Sequence, residues 1–326
     1  MPVHLDREAL VGLLAQGDLN RRVARAFVQP AAVPVRQRLD ASRRRELLVM
    51  PAYSGRFAGV KILTVVPENV TIDEPVISGL FLLFDFESGA PLATMDAGEL
   101  TAWRTAAVSA IAADALAKPD ATRLTVLGSG HLAPYLAAAH ARIRPIEHIA
   151  IWARRPDQAE RVASSVREDL GGVPVEVCTD IERAVRSADL VSAATRATAP
   201  LIRGEWLAPG VHVDLVGGYR PDMREIDDHG ITRGPIFVDS IEGALAEAGD
   251  LIDPIERGVL AREAIAGDLA ALISGRAGRG SANEITIFKS VGTALADLAA
   301  AVAAWERSQS ASIGADAGKV LSPIKG

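Results

Sequence analysis

Between residues 124 and 239, short apolar runs alternate with stretches whose polar positions recur at helical spacing, the pattern of parallel strands joined by crossover helices. The runs predict strands at residues 124–127, 148–152, 175–178, 190–194, 211–216 and 236–239. Each is almost continuously apolar and rich in β-branched residues, as strands covered by helices on both faces are. The expectation is an α/β fold with a Rossmann-type doubly wound parallel sheet over residues 119–289. Upstream, residues 47–52, 60–66 and 77–86 read as strands separated by Pro/Gly turns, with no intervening helix long enough for a parallel crossover. A second, mixed α+β domain is therefore expected from residues 1–118 together with 290–326. Helices are predicted at 102–118, around 262–273 and at about 292–305. The last lies beyond the nucleotide fold's inventory and should return to the first module. The Ser/Ala/Gly-rich residues after Ser308 are expected to be mobile.

Composition narrows the function classes. Lys+Arg 35 against Asp+Glu 41 in 326 residues gives a formal net charge of −6, so no overall basic field favours nucleic acid or anionic lipid. No apolar run approaches membrane-spanning length, and a cytoplasmic protein is expected. The single cysteine, Cys178, excludes an intrachain disulfide framework and reads as a core thiol. The histidines show no metal-ligand spacing, so no metal is assigned; His212 inside a strand reads as a hydrogen-bonded core residue. Asp222, Glu225, Asp227 and Asp228 read as a solvated helix start, and Arg43-Arg44-Arg45 as a solvated turn.

The strand at 124–127 runs into Gly128-Ser129-Gly130-His131-Leu132-Ala133, a G-x-G-x-x-A at a strand-to-helix junction. Gly128 permits the tight turn, Gly130 lets backbone approach a pyrophosphate, and Ala133 lets the helix lie close to the strand. An NAD-binding fold normally places Asp or Glu at the end of its second strand, to hold the adenosine ribose. Here that strand ends in Ala153-Arg154-Arg155-Pro156. Two guanidinium groups there suit a 2′-phosphate, which favours NADPH with NADH as the alternative; a solvated basic loop is the bland reading. Lys61, a lone cation in an apolar strand, is either paired or functional, or else snorkels from an edge. Arg104 is predicted near the start of its helix, where the dipole disfavours cations, and this points to a ligand.

Several segments together resemble the ornithine cyclodeaminase and mu-crystallin family from about residue 28 to 306. They include Met50-Pro51-Ala52-Tyr53, Gly59-Val60-Lys61, Arg104-Thr105-Ala106-Ala107, the loop from Gly128, Gly204-Glu205-Trp206, Arg220-Pro221-Asp222-Met223-Arg224-Glu225, Gly249-Asp250 and Phe288-Lys289-Ser290-Val291-Gly292. The resemblance implies a homodimer whose first domain binds substrate. It implies a small-molecule carboxylate held by Arg36, Lys61 and Arg104 beside Val291. It also implies cofactor contacts at Ser129, Gly130, Thr195, Val216, Gly217 and Ser290, to which the loop itself adds Gly128, His131 and Leu132. Asp297 matches a family position expected to be structural. The chain departs from the family's cyclodeaminases at Tyr219, where they carry Gly-Gly-Asp with an acid/base aspartate and this sequence reads Gly217-Gly218-Tyr219. An ordinary phenol, with a pKa of about 10, is a poor base near neutrality. The resemblance therefore implies the reductase branch: reduction of a cyclic ketimine, Δ1-pyrroline-2-carboxylate or Δ1-piperideine-2-carboxylate, to L-proline or L-pipecolate. Lys61, Arg104 and Tyr219 would then serve the chemistry, with Tyr219 either bonding the imine nitrogen or walling the pocket. The alternatives are an ornithine cyclodeaminase recycling NAD, a family alanine dehydrogenase, and a non-enzymatic NADPH-dependent binding protein.

Overall fold

The computed structural model describes residues 2–15, 17–40, 45–72 and 74–320. Arg43 and Arg44 of the arginine run lie outside the described residues. The chain forms two compact units, Met1–Arg104 with Ala294–Gly326, and Thr105–Thr293.

The first unit opens with β1 (Val3–Leu5), α1 (Arg7–Leu14), α2 (Leu19–Phe27), β2 (Ala31–Ala32) and β3 (Gln37–Asp40). Then follow β4 (Glu46–Ser54), β5 (Phe57–Val65), β6 (Ile77–Asp85), β7 (Pro91–Asp96) and α3 (Ala97–Leu116), which carries the chain into the second unit. The strands form one sheet in the order β1-β7-β6-β5-β4-β2, with β3 also on β4. Pairing is antiparallel except between β1 and β7. The three strands predicted here are β4, β5 and β6. Strand alternation buries Met50, Lys61, Leu63, Phe81, Leu83 and Met95 on one face. The final helix, α11 (Ala294–Val320), packs on β4, β5 and α2. Ala296, Ala300, Ala303 and Ala304 are fully buried along it, and their small side chains let it lie close to the sheet. The helix runs past Ser308, where a tail was expected, to Val320.

The second unit contains β8 (Arg123–Leu127), α4 (Leu132–Ile143), β9 (His148–Trp152), α5 (Pro156–Leu170), β10 (Val175–Val177) and α6 (Ile181–Arg186). It continues with β11 (Leu190–Ala193), β12 (His212–Leu215), α7 (Asp228–Ile231), β13 (Ile236–Val238), α8 (Ile241–Glu247) and α9 (Gly249–Glu256). It closes with β14 (Ile265–Asp268), α10 (Leu269–Ile273) and β15 (Thr286–Lys289). All strands are parallel, in the order β10-β9-β8-β11-β12-β15-β13-β14. The six predicted strands are present, and the strand order reverses direction at β8/β11, the switch point where such folds bind ligands. Two strands were not predicted. The stretch read as one helix over 262–273 is a turn, β14 and α10, because Asp268 stops the strand and caps α10 by accepting from the Ala271 amide at 2.8 Å. Strand β15 was missed because Thr286 and Lys289, both fully buried, break its apolar run. Cys178 is buried, and His212 is a core residue whose Nδ1 lies 3.0 Å from Thr286 Oγ1. Burial holds its pKa down at about 3, so the ring stays neutral.

Among the described residues, no helix is long and apolar enough to cross a membrane.

Candidate active site

In the first unit, Lys61 points to the buried face of β5, under α11, and has no exposed surface. Gly59, two residues earlier on the same face, makes room for a ring: a Cβ there would lie 2.3 Å from Phe81 Cζ. Lys61 Nζ lies 2.7 Å from the Asp297 carboxylate of α11 and donates to Thr101 Oγ1 at 3.1 Å. Arg104 Nε donates to the same carboxylate at 2.8 Å. Asp297 is fully buried. Burial alone would raise its pKa, yet Arg104 and Lys61 hold it below the usual carboxylate range.

Of the readings open for Lys61, the structure gives pairing, because Asp297 serves both cations. It also changes the reason for Arg104. Helix α3 begins at Ala97, where Asp96 accepts from the Glu99 amide at 2.7 Å, so Arg104 sits two turns in and beyond the reach of the terminal dipole. Asp297 accounts for its position. Among the described residues only Nε of Arg104 carries a hydrogen bond, which leaves the terminal amino groups of the guanidinium for a ligand. Arg36, half-buried just before β3, lies near enough to depress the Lys61 pKa by its charge. Lys61, Arg104 and Arg36 against Asp297 leave a surplus of positive charge around a buried ammonium. Burial, then Arg104, bring the Lys61 pKa down to about 7 against the opposing pull of Asp297.

In the second unit, the ends of β8, β11, β12 and β15 lie side by side. Leu127 registers with Ala193, Ala193 with Leu215, and Leu215 with Lys289. The residues that follow each strand therefore share one edge: Gly128, Thr195, Val216 with Gly217, and Ser290. Gly128 has φ +130°, and a Cβ there would sit 2.6 Å from Ala194 O. Gly130 is different, since a Cβ would meet nothing within 4 Å. Packing does not require that glycine; the space in front of it suits a group brought against the backbone. Ala133 is fully buried where α4 approaches β8, and the α4 start turns its positive dipole end toward the loop. Ser129 Oγ donates to Gln158 Oε1 at 3.1 Å. His131 and Leu132 flank the helix start, with the His131 ring edge-on to Tyr135. These residues fit a dinucleotide. Arg154 and Arg155 are exposed just past β9, whose end lies beside the loop, where Gly128 N donates to Trp152 O at 2.8 Å.

Asp239 holds the segment after β15 by accepting from the Val291 and Gly292 amides at 3.1 and 2.7 Å. Tyr219 is half-buried, and its amide donates to Gly217 O at 3.1 Å. Asp227 caps α7 as expected for a helix start, accepting from the Gly230 amide at 2.6 Å. Glu225 is instead fully buried, contrary to the solvated reading: its carboxylate accepts from Thr195 N, Thr195 Oγ1 and Gly217 N.

Residues 7–312 match the model of the ornithine cyclodeaminase/mu-crystallin family. The Δ1-pyrroline-2-carboxylate reductase of Bacillus cereus is 39% identical over 286 residues, covering 86% of this chain and 87% of that one. The structure of Thermococcus litoralis Δ1-pyrroline-2-carboxylate reductase in complex with NADH and L-proline superposes with a TM-score of 0.92 at 32% identity, covering 95% of this chain and 98% of that one. An archaeal alanine dehydrogenase dimer with bound NAD follows at TM-score 0.89 and 29% identity, covering 95% of this chain and 97% of that one.

Proposed function

The chain belongs to the ornithine cyclodeaminase/mu-crystallin family, and from that premise we propose that this NAD(P)H-dependent imine reductase acts on a cyclic α-imino acid, Δ1-pyrroline-2-carboxylate or its six-membered homologue. The observation that carries the proposal is the buried cation cluster of the first unit, with Lys61 and Arg104 sharing one carboxylate and Arg36 nearby. A planar imino acid has a single carboxylate to be gripped, and a surplus of fixed positive charge suits it; Arg104 can engage it through the amino groups that Asp297 leaves. The cofactor, when bound, supplies the hydride. The iminium form of the substrate already carries its proton, so no general base is needed at Tyr219, where cyclodeaminases of the family have aspartate. Tyr219 then bonds the imine nitrogen or walls the pocket.

For the cofactor we favour NADPH, on Arg154 and Arg155 beside the phosphate loop and the lack of an acid at the end of β9. A homodimer is supported by the uncovered face of the first unit's sheet, where Tyr53, Ile62 and Leu80 are 41%, 36% and 46% exposed. A second copy, meeting that face with its own, would bury them. Oxidation of NADPH and NADH should be followed with both cyclic ketimines, with pyruvate plus ammonia, and with L-ornithine. The cyclic ketimines should turn over fastest. Ammonia release from L-ornithine without added cofactor, or faster turnover of pyruvate, would refute the assignment.

A further inference from the structure

In the second unit, a buried carboxylate ties together two loops at the carboxyl edge of the sheet. Glu225 Oε1 accepts from Thr195 N at 2.7 Å and Thr195 Oγ1 at 2.8 Å, while Oε2 accepts from Gly217 N at 2.7 Å. Thr195 follows β11 and Gly217 follows β12, so one side chain bridges the ends of two adjacent strands. The bridge admits little slack: a Cβ on Gly217 would lie 2.0 Å from Thr195 O and 2.5 Å from Glu225 Oε1. Glu225 is itself held, because its amide donates to Asp250 Oδ1 at 2.7 Å. Lys289 Nζ lies 3.2 Å from Asp250 Oδ2 and donates to Leu215 O, at the end of β12, at 3.1 Å. All three charged side chains are fully buried.

We propose that Glu225 is a positioning residue for the nicotinamide cofactor: its carboxylate fixes the loops after β11 and β12 in the one arrangement that receives the cofactor. This rests on the reading that a nicotinamide cofactor binds at this edge. An ionised carboxylate is acceptor-only and suits three donors, whereas a protonated or amidated one turns a donor toward one of them. Burial makes that change accessible. Lys289 on β15 and Asp250 on α9 are the charged groups facing Glu225. Burial, helped by the Asp250 carboxylate, pushes the Glu225 pKa up to about 7 against the opposing pull of the Lys289 ammonium.

The test is direct titration of the full-length protein with NADPH and NADH by nicotinamide fluorescence, without substrate, for wild type and Glu225→Gln. The variant should bind about tenfold more weakly at pH of about 8, the loss expected when one donor of a buried set faces a donor. Wild-type affinity should fall about tenfold from pH of about 8 to about 6 as the carboxylate takes its proton, and the variant should show no such dependence. Equal affinities of variant and wild type at the higher pH would overturn the proposal, as would a lower melting temperature with affinity unchanged. Should the variant not fold, the wild-type pH series decides alone, since a flat profile overturns the proposal. Wild type that binds no nicotinamide nucleotide at any pH would overturn the proposed function as well, whereas binding indifferent to Glu225 overturns only this inference.

Discussion

Replacing Asp297 by asparagine should cost substrate capture while sparing cofactor binding. The carboxylate lies 2.7 Å from Lys61 Nζ and 2.8 Å from Arg104 Nε, so the amide removes the only counter-charge that the described residues give Lys61. At an effective dielectric of about 20 a unit charge pair at about 4 Å is worth about 4 kcal/mol. Lys61, already at about 7 with Asp297 in place, would then be neutral at ordinary assay pH. Loss of a charge-assisted bond to the substrate carboxylate costs about 1.5–3 kcal/mol, or roughly 10- to 150-fold in kcat/KM. The assay is steady-state oxidation of reduced cofactor with Δ1-pyrroline-2-carboxylate from about pH 6 to about pH 9. In wild type, kcat/KM should decline as pH rises through about 7, where the Lys61 ammonium is lost. The variant should lie low and flat across that window. Breaking a buried pair also destabilises by about 3–5 kcal/mol, so the melting temperature should fall. Cofactor affinity, which the proposed function assigns to the second unit's loop, controls for folding. A variant that keeps wild-type kcat/KM and its pH dependence would refute the reasoning.

Lys61→Met should abolish turnover yet leave the melting temperature equal or higher, because Arg104 still pairs Asp297 and a buried ammonium is gone. With the Lys61 pKa lowered in the fold, the unfolded chain binds the extra proton between about 7 and 10.5, so wild-type stability gains from Lys61 as pH rises through that window and Lys61→Met loses this increment; chemical denaturation at several pH values checks the sign. Gly130→Ala should weaken nucleotide binding about tenfold or more with an unchanged melting temperature, since its Cβ meets only open space, whereas Gly128→Ala should lower the melting temperature through its 2.6 Å approach to Ala194 O. Isothermal titration and thermal scans of the pair separate the two roles. Arg154→Asp should lose roughly 10- to 100-fold in NADPH affinity and little for NADH, and equal losses would remove the argument for the 2′-phosphate.

The parallel sheet was legible in the sequence because strands covered on both faces carry largely apolar runs, as β8 through β13 do. The loop from Gly128 was legible because its backbone geometry admits few residues. What escaped was charge buried inside such runs. Lys289 broke β15, and its reason, the pairing with Asp250, exists only after folding. Asp297 was placed by the resemblance at a position expected to be structural, but its partner Lys61 lies 236 positions away and no local periodicity links them. Glu225 was read with its acidic neighbours as solvated, since an acid two residues before Asp227 looks like any helix start until Thr195 and Gly217 are seen against it. These five side chains oppose the burial preference of their type. Each is offset by partners from distant segments, at Lys61 with Asp297 and at Glu225 with Thr195, Gly217, Asp250 and Lys289. A fold retains such costly groups where apolar residues of similar size would pack as well only when something other than packing depends on them. Under the proposed function that argument applies to one such cluster in each unit, at Lys61 for the imine and at Glu225 for its reductant.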